Sequence, residues 1–249
     1  MSPKKKVIES IPEKVFSDLS HGQITPLGLL QSGNNYTFLV RIENEFGEQC
    51  MGIYKPFRGE APLSDFPDGA LYKREVASYL VSKALGWEFI PPTVVRDGPY
   101  GIGSLQLYIE HNPEENYFTL RGTHNKEFQK ICIFDFLTNN ADRKGGHCLL
   151  GANGRIWGID HGLTFNVLEK LRTVIWEYSG QPISIELQKD LKKLYIQITT
   201  DATLLKSLND LISMEELQSF VERLDQIVRN AIFPKLDLTG RRSWPYPLL

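Results

Sequence analysis

The 249-residue sequence is poor in cysteine: Cys50, Cys132 and Cys148 are unevenly spaced and form no CxxC pair. We therefore predict reduced thiols, as in a cytoplasmic protein. The sequence also lacks any apolar run of the roughly 20 residues that cross a bilayer. Residues 1–6 are basic, but no apolar stretch follows them as a secretory signal requires. We expect no transmembrane segment and a cytoplasmic location.

A surplus of either charge is also absent, because 28 Lys and Arg oppose 30 Asp and Glu for a net charge of −2. This balance gives no general case for a nucleic-acid or membrane surface, and no nucleic-acid partner is expected. The sequence also indicates no basic amphipathic helix for a membrane surface. A chain of this length is one large domain or two small lobes, and it can bury a substantial core.

Two aspartates mark the most informative stretch, residues 131–165. Asp142 and Asp160 each lie at the edge of a short apolar segment. Between them, Asn153-Gly154 stands between apolar runs, which is a strong signal for a β-hairpin. The hairpin is predicted to bring the two carboxylates to the same end, where they could bind a cation.

The residues around these aspartates match the requirements of phosphoryl transfer. That reaction needs an Asp that accepts the proton of the acceptor hydroxyl, a metal ligand a few residues later, and a second Asp on the metal. Asp142 is followed by Lys144 and His147, and Asp160 begins a D-x-G step. Either piece alone also occurs in ordinary turns, where Asp bonds nearby backbone N–H groups. The prediction therefore depends on their combination.

The motifs DRKGGHCLL, from Asp142, and GIDHGLTF, around Asp160, resemble those of the phosphatidylinositol 3-/4-kinase-like superfamily. Type II phosphatidylinositol 4-kinase-like enzymes are the most similar, and HipA-like and actin-fragmin-kinase-like kinases are more distant. The resemblance covers roughly residues 33–165 and departs at His147, where these families normally carry Asn. It implies that Asp142 positions or deprotonates the acceptor and that Lys144 neutralises charge on the transferred group. It also implies that Asp160 and His147 hold Mg²⁺ or Mn²⁺.

The N-terminal half supplies a candidate phosphate loop. Strands are predicted at 22–31, 36–43 and 49–55, with turn formers between them. Ser32, Gly33 and Asn34 connect the first two strands and offer backbone N–H groups to a triphosphate. As an isolated segment they read as a hairpin turn. Their position matches that of the phosphate-covering loop in the lipid-kinase-like families.

Lys55 ends the third predicted strand, and Glu75 lies on a helix predicted at 68–85. The two fit the Lys–Glu ion pair that holds the ATP phosphates in kinases. As an alternative, Lys73 or Arg74 could form ordinary surface pairs with neighbours of Glu75.

Two further positions follow from the order of the elements. Glu110 and His111 follow a predicted hairpin over 93–109, and with Ile109 at its end they would form the adenine-binding hinge of a two-lobed kinase. Asp135 lies on the apolar face of a helix predicted at 127–138, where an unpaired carboxylate would be costly. We predict that Asp135 bonds Arg143 or loop N–H groups and holds the catalytic loop in shape.

Together these features predict an α+β, two-lobed protein-kinase-like fold. The sheet-rich lobe spans residues 1–110 and the mostly helical lobe spans residues 111–249. Three amphipathic helices are predicted at 184–198, at 201–212 and from Ser213 onward, where Ser213 and Glu216 form a capping box.

The implied reaction moves the γ-phosphoryl group of ATP to a hydroxyl, with Mg²⁺ or Mn²⁺. A protein, a phosphoinositide and a small metabolite are all candidate acceptors, and the cysteine-rich palmitoylated insert of type II enzymes is missing. His147 keeps open a pseudokinase that binds nucleotide and acts as a scaffold. AMP transfer on the same fold is a third alternative. If His147 binds the metal, metal affinity should weaken as the pH falls through roughly 6.5.

Overall fold

The computed structural model describes residues 13–30, 35–67, 69–237, 243–246 and 248–249. Within these residues, five strands form one antiparallel sheet in the order β1-β2-β3-β5-β4, and two shorter strands form a hairpin. The strands are β1 (Gln23–Leu30), β2 (Thr37–Glu43), β3 (Gln49–Pro56), β4 (Thr93–Gly98), β5 (Gly101–Leu107), β6 (Cys148–Leu150) and β7 (Ile156–Gly158). Together with the helices they confirm the predicted α+β class.

The helices are α1 (Glu13–His21), α2 (Leu71–Ala84), α3 (Tyr117–Leu120), α4 (Asn125–Leu137), α5 (Ile185–Thr200), α6 (Ala202–Asn209) and α7 (Met214–Asn230). The last three are the C-terminal helices that the sequence predicts. The Glu216 N–H donates to the Ser213 hydroxyl, and the Ser213 N–H donates to the Glu216 carboxylate, which is the predicted capping box. Among the described residues, no helix is both long enough and apolar enough to cross a bilayer.

Strand alternation determines the side of the sheet on which Lys55 lies. Successive side chains of a strand point to opposite faces of the sheet, so Tyr54 and Lys55 of β3 lie on different faces. Tyr54 enters a small core with Leu19, Val40, Ile42 and Leu105. Lys55 pairs with Ser104 of β5 and faces the other side of the sheet.

A glycine permits β5 to approach β3 at this point. A Cβ atom on Gly103 would lie 2.3 Å from the Lys55 carbonyl oxygen. A side chain at Gly103 would therefore move the backbone that positions Lys55.

Most of helix α2 is buried, including Arg74 and Glu75. The predicted start at residue 68 is early, because the helix begins at Leu71. The Glu60 carboxylate accepts the N–H groups of Leu71 and Tyr72 at 3.1 and 2.8 Å, so an upstream loop caps the helix.

The hairpin β6–β7 forms as predicted, although its connection is longer than the Asn-Gly dipeptide. Leu150 pairs with Ile156, so residues 151–155 form the loop, and Gly154 within it has a positive φ of 78°. At the other end, the Ile159 N–H donates to the His147 carbonyl at 3.0 Å. The hairpin therefore brings His147 beside the segment that carries Asp160.

Candidate active site

Lys55 connects three parts of the chain in a cleft beside the sheet. Its ammonium group contacts Glu75 Oε1 of α2 and lies 2.8 Å from Asp160 Oδ1 of the D-x-G segment. The Glu75 side chain is 3% exposed, whereas that of Asp160 is 49% exposed. Two carboxylates thus converge on one cation, and Asp160 remains open to solvent.

Lys55 and Asp160 stabilise each other's charged forms. Burial alone would lower the pKa of Lys55, but the Asp160 and Glu75 carboxylates outweigh it and raise that pKa. In return, the Lys55 ammonium holds the pKa of Asp160 well below its usual range. Lys55 and Asp160 are therefore both charged at neutral pH.

Glu75 also fixes the D-x-G segment. Its Oε2 atom accepts the backbone N–H of His161 at 2.9 Å. Asp160 has a φ of 60°, in the left-handed region that non-glycine residues seldom adopt. Such backbone strain persists only where the surroundings impose it, and here Lys55, Glu75 and His161 provide the contacts.

Asp142 lies in the loop after α4. Its N–H donates to Asn140 Oδ1 at 3.0 Å, and its Oδ2 atom lies 3.1 Å from Lys144 Nζ. Burial raises the pKa of Asp142, and Lys144 only partly opposes the effect. A carboxylate with a raised pKa is better matched to proton transfer near neutral pH than an exposed one.

The buried pair of Asp135 and Arg143 holds this loop in position, as predicted. The Arg143 guanidinium donates to both Asp135 oxygens at 3.1 Å, and both side chains are fully buried. Arg143 Nη1 also donates to the Ile159 carbonyl at 2.8 Å. Thr173 donates its hydroxyl to Asp135 at 3.0 Å. The pair therefore joins the Asp142 loop to the strand that leads into Asp160.

His161, within the D-x-G step, completes this buried network. Arg143 Nη2 lies 2.6 Å from His161 Nε2. Because arginine can only donate, Nε2 accepts and the ring proton resides on Nδ1. That Nδ1 atom is buried and has no hydrogen-bond partner among the described residues. Burial and the Arg143 charge hold the pKa of His161 well below its usual range, so the ring is neutral.

His147 lies beside the Asp160 carboxylate. Its Nε2 atom is 3.4 Å from Asp160 Oδ2, and its Nδ1 atom accepts the Lys144 N–H at 3.4 Å. Burial lowers the pKa of His147 to about 4, although Asp160 opposes the shift. Desolvation therefore moves the titration of the free His147 ring below 6.5, and the pH dependence of metal affinity stays a prediction.

These donors suit one divalent cation shared with phosphates. Asp160 supplies an ionised carboxylate, and the neutral His147 ring lies at the edge of the same carboxylate. Among the described residues, no group of three His, Cys, Asp or Glu side chains could enclose a metal. Mg²⁺ typically binds one or two protein carboxylates and completes its shell with phosphate oxygens and water. Asp160 fits that mode, and His147 can join it through Nε2 when its ring proton lies on Nδ1.

Five predicted site residues remain. Ser32, Gly33 and Asn34 fall outside the described residues. Glu110 is exposed, and the backbone of His111 bridges to Gly151 next to the β6–β7 hairpin. His111 Nδ1 lies 2.8 Å from the Ile109 carbonyl oxygen. The roles of these residues stay predictions.

One buried ion pair was not predicted from the sequence. Arg74 is not a surface charge: its guanidinium contacts Glu216 of α7, and the side chains are 1% and 10% exposed. Arg74 Nε also donates to the Thr164 carbonyl at 2.8 Å, just after the D-x-G step. The residue that precedes Glu75 therefore ties α2 to the C-terminal helices. Apolar periodicity carries no signal for such a pair.

Comparison with known proteins agrees with this geometry. The family described as phosphatidylinositol 3- and 4-kinase matches residues 28–227. Protein Rv2133c of Mycobacterium tuberculosis (strain ATCC 25618 / H37Rv) is 34% identical over 92% of this chain and 93% of its own length. Phosphatidylinositol 4-kinase gamma 4 of Oryza sativa subsp. japonica is 28% identical over 72% of this chain, which spans 38% of the plant protein.

Solved structures show the same fold. Two crystal structures of the Golgi casein kinase, one with Mn/ADP bound, have TM-scores of 0.55 and 0.53 at 15% and 14% identity. Each alignment covers 88% of this chain and 75% of the other. The predicted kinase-like α+β fold is thereby confirmed.

Proposed function

The chain belongs to the phosphatidylinositol 3- and 4-kinase family, and on this premise we propose that it transfers the γ-phosphoryl group of ATP to a hydroxyl group. It is a phosphotransferase; the donor, the metal and the residue roles are the proposal. The observation that carries it is the meeting of Lys55, Glu75 and Asp160 in the cleft, with Asp142 paired to Lys144 on the adjoining loop.

Lys55 would bind the phosphates, and Glu75 would orient it. Glu75 is almost fully buried and receives the His161 N–H on its second oxygen. The Lys55 side chain is 23% exposed, so its ammonium group can reach a ligand in the cleft. Such positioned charges stabilise phosphoryl transfer because the reaction demands little covalent chemistry of the protein.

Asp142 would orient the acceptor hydroxyl and take its proton. The raised pKa supports this role because it brings the carboxylate closer to the working pH. Lys144, 3.1 Å away, would neutralise charge on the transferred group. The Asp135–Arg143 pair does not touch the reactants in this proposal; it keeps the loop in position.

Asp160 and His147 would hold Mg²⁺ or Mn²⁺. Bound metal supplies charge neutralisation at the phosphate oxygens. The Golgi casein kinase structure with Mn/ADP bound has the same fold, which supports a divalent ion with nucleotide here. Asp160 is the principal ligand in this assignment because its carboxylate is ionised and half exposed.

The acceptor is a hydroxyl of a protein, a phosphoinositide or a small metabolite. The plant relative is called a phosphatidylinositol 4-kinase, but this chain spans 38% of its length. Phosphatidylinositol vesicles therefore form one arm of the substrate test, and protein and metabolite pools form the others.

Mass spectrometry of the products tests the proposal. The purified chain is incubated with ATP, Mg²⁺ or Mn²⁺ and each substrate pool, with Asp142→Asn as the matched inactive control. ADP together with a phosphorylated acceptor supports the kinase function. An acceptor that carries AMP would instead indicate AMP transfer. Nucleotide binding with neither product, across all pools and in autophosphorylation, would indicate a pseudokinase scaffold.

A further inference from the structure

A second concave surface lies between α2, α5 and α6. This groove has a volume of about 830 Å³, within the usual range for ligand sites. Leu80, Ala84 and Leu204 line it, are partly buried and pack against the main hydrophobic core. The groove therefore has an apolar floor that continues the interior of the protein.

Four lysines line the same groove. Lys189, Lys192 and Lys193 of α5 have i, i+3 and i+4 spacing and share one helix face. Lys83 joins them from α2, where its ammonium group lies 5.0 Å from the centre of the Phe16 ring. All four are exposed. Within the described part of the chain, none forms an ion pair with a carboxylate.

The carboxylate that α5 carries between Lys189 and Lys192 forms its hydrogen bond elsewhere. Asp190 lies on α5 among these lysines, but its carboxylate accepts the indole N–H of Trp87 at 2.9 Å. Like charges at i, i+4 spacing destabilise a helix. An acidic ligand would relieve that repulsion and gain from complementary charge.

We infer that the groove docks a short acidic amphipathic helix of a protein partner. The apolar side of such a helix would cover Leu80, Ala84 and Leu204, and its carboxylates would meet the lysines. Ile196, 61% exposed within the lining, extends the apolar contact. Leu80, Ala84 and Leu204 lie beside the lysines, so a helix with one apolar and one acidic side can contact both sets at once.

The groove is separate from the cleft that carries Lys55. Leu80 follows Glu75 in α2 by five residues, about 140° around the helix. The docked helix would therefore contact α2 on a different side from Glu75. Binding is measured without nucleotide, so a negative result leaves the proposed kinase function intact.

Selection from a displayed library of random peptides, roughly 14 residues or four helical turns long, tests the inference. Bound peptides are sequenced and their affinities are measured by fluorescence anisotropy. Lys189→Gln/Lys193→Gln removes two groove charges. The matched control, Lys126→Gln/Lys130→Gln, removes two lysines with the same i, i+4 spacing from α4, outside the groove.

We expect enrichment of Asp- and Glu-rich peptides with apolar residues on one helix face. The groove variant should weaken their binding about tenfold, as the loss of two exposed ion pairs allows, and the control should leave it unchanged. Ile196→Ser should also weaken it. Absence of enrichment, equal loss in both double variants, or tighter binding to phosphatidylserine vesicles than to any peptide would overturn the inference.

Discussion

Replacing Glu216 with glutamine should strongly destabilise the chain, although the substitution changes a single group. Glu216 has two roles: one oxygen caps α7 through the Ser213 N–H, and the other pairs with Arg74. Glutamine can still form a capping box, so the cap survives and the charge is lost. Arg74, 1% exposed, is then a buried cation without its carboxylate. Removing one partner of a buried pair costs about 3–5 kcal/mol.

Urea unfolding followed by tryptophan fluorescence measures this loss, with an unchanged slope m as evidence that only stability changed. Ser213→Ala is the control, because it removes the cap and keeps the ion pair, at a cost of about 1 kcal/mol. Adding Arg74→Met to Glu216→Gln should recover more than half of the loss, since an apolar replacement removes the stranded charge. If Glu216→Gln costs no more than Ser213→Ala, the pair does not stabilise α2 as reasoned.

Further predictions concern the proposed active site. ATP with Mg²⁺ or Mn²⁺ at about 100 times its Kd should stabilise the fold by about 2.7 kcal/mol in differential scanning fluorimetry; no shift with either metal would count against nucleotide binding. Asp160→Asn should abolish metal-dependent nucleotide binding in calorimetry, whereas Asp142→Asn should bind normally and lose turnover. Loss of nucleotide binding in Asp142→Asn, with binding and turnover kept in Asp160→Asn, would contradict the assigned roles. His147→Asn should move the metal preference from Mn²⁺ toward Mg²⁺, because imidazole suits softer ions than oxygen ligands do; an unchanged preference would mean that His147 is not a ligand. The folded state keeps His147 neutral down to about pH 4, whereas the unfolded state takes up a proton below 6.5. Proton uptake by the unfolded state therefore lowers the free energy of unfolding of wild type as the pH falls through this window. In EDTA, the free energies of unfolding of wild type and His147→Asn should diverge over this pH window by roughly 3 kcal/mol. Parallel curves of free energy against pH would refute the shift in the His147 pKa.

Local patterns account for much of the fold. The Ser213 capping box, the Asn153-Gly154 hairpin and the pairing of Asp135 with Arg143 were all predicted from the sequence, and the structure contains each of them. These features depend on residues close together in the chain, where spacing determines which groups can meet. The predicted start of α2 was early because its cap comes from Glu60, outside the helical pattern.

Long-range contacts explain what the sequence could not predict. Arg74 and Glu216 are 142 positions apart, so neither neighbourhood reveals the other. The lysine-lined groove combines α2 with α5 in the same way, whereas the pattern of α5 emphasises its buried leucines. The low pKa of His147 likewise results from packing that surrounds the ring, which no motif specifies.

The contact between Lys55 and Asp160 bears on the order in which ligands bind. The ammonium group is already the cation next to this carboxylate, so a divalent ion that arrives alone must compete with a positive charge tethered to the chain. Phosphates that draw Lys55 toward themselves would end that competition. Metal and nucleotide should therefore bind cooperatively, each raising the affinity for the other by the same factor. Free metal, by the same reasoning, should bind only weakly.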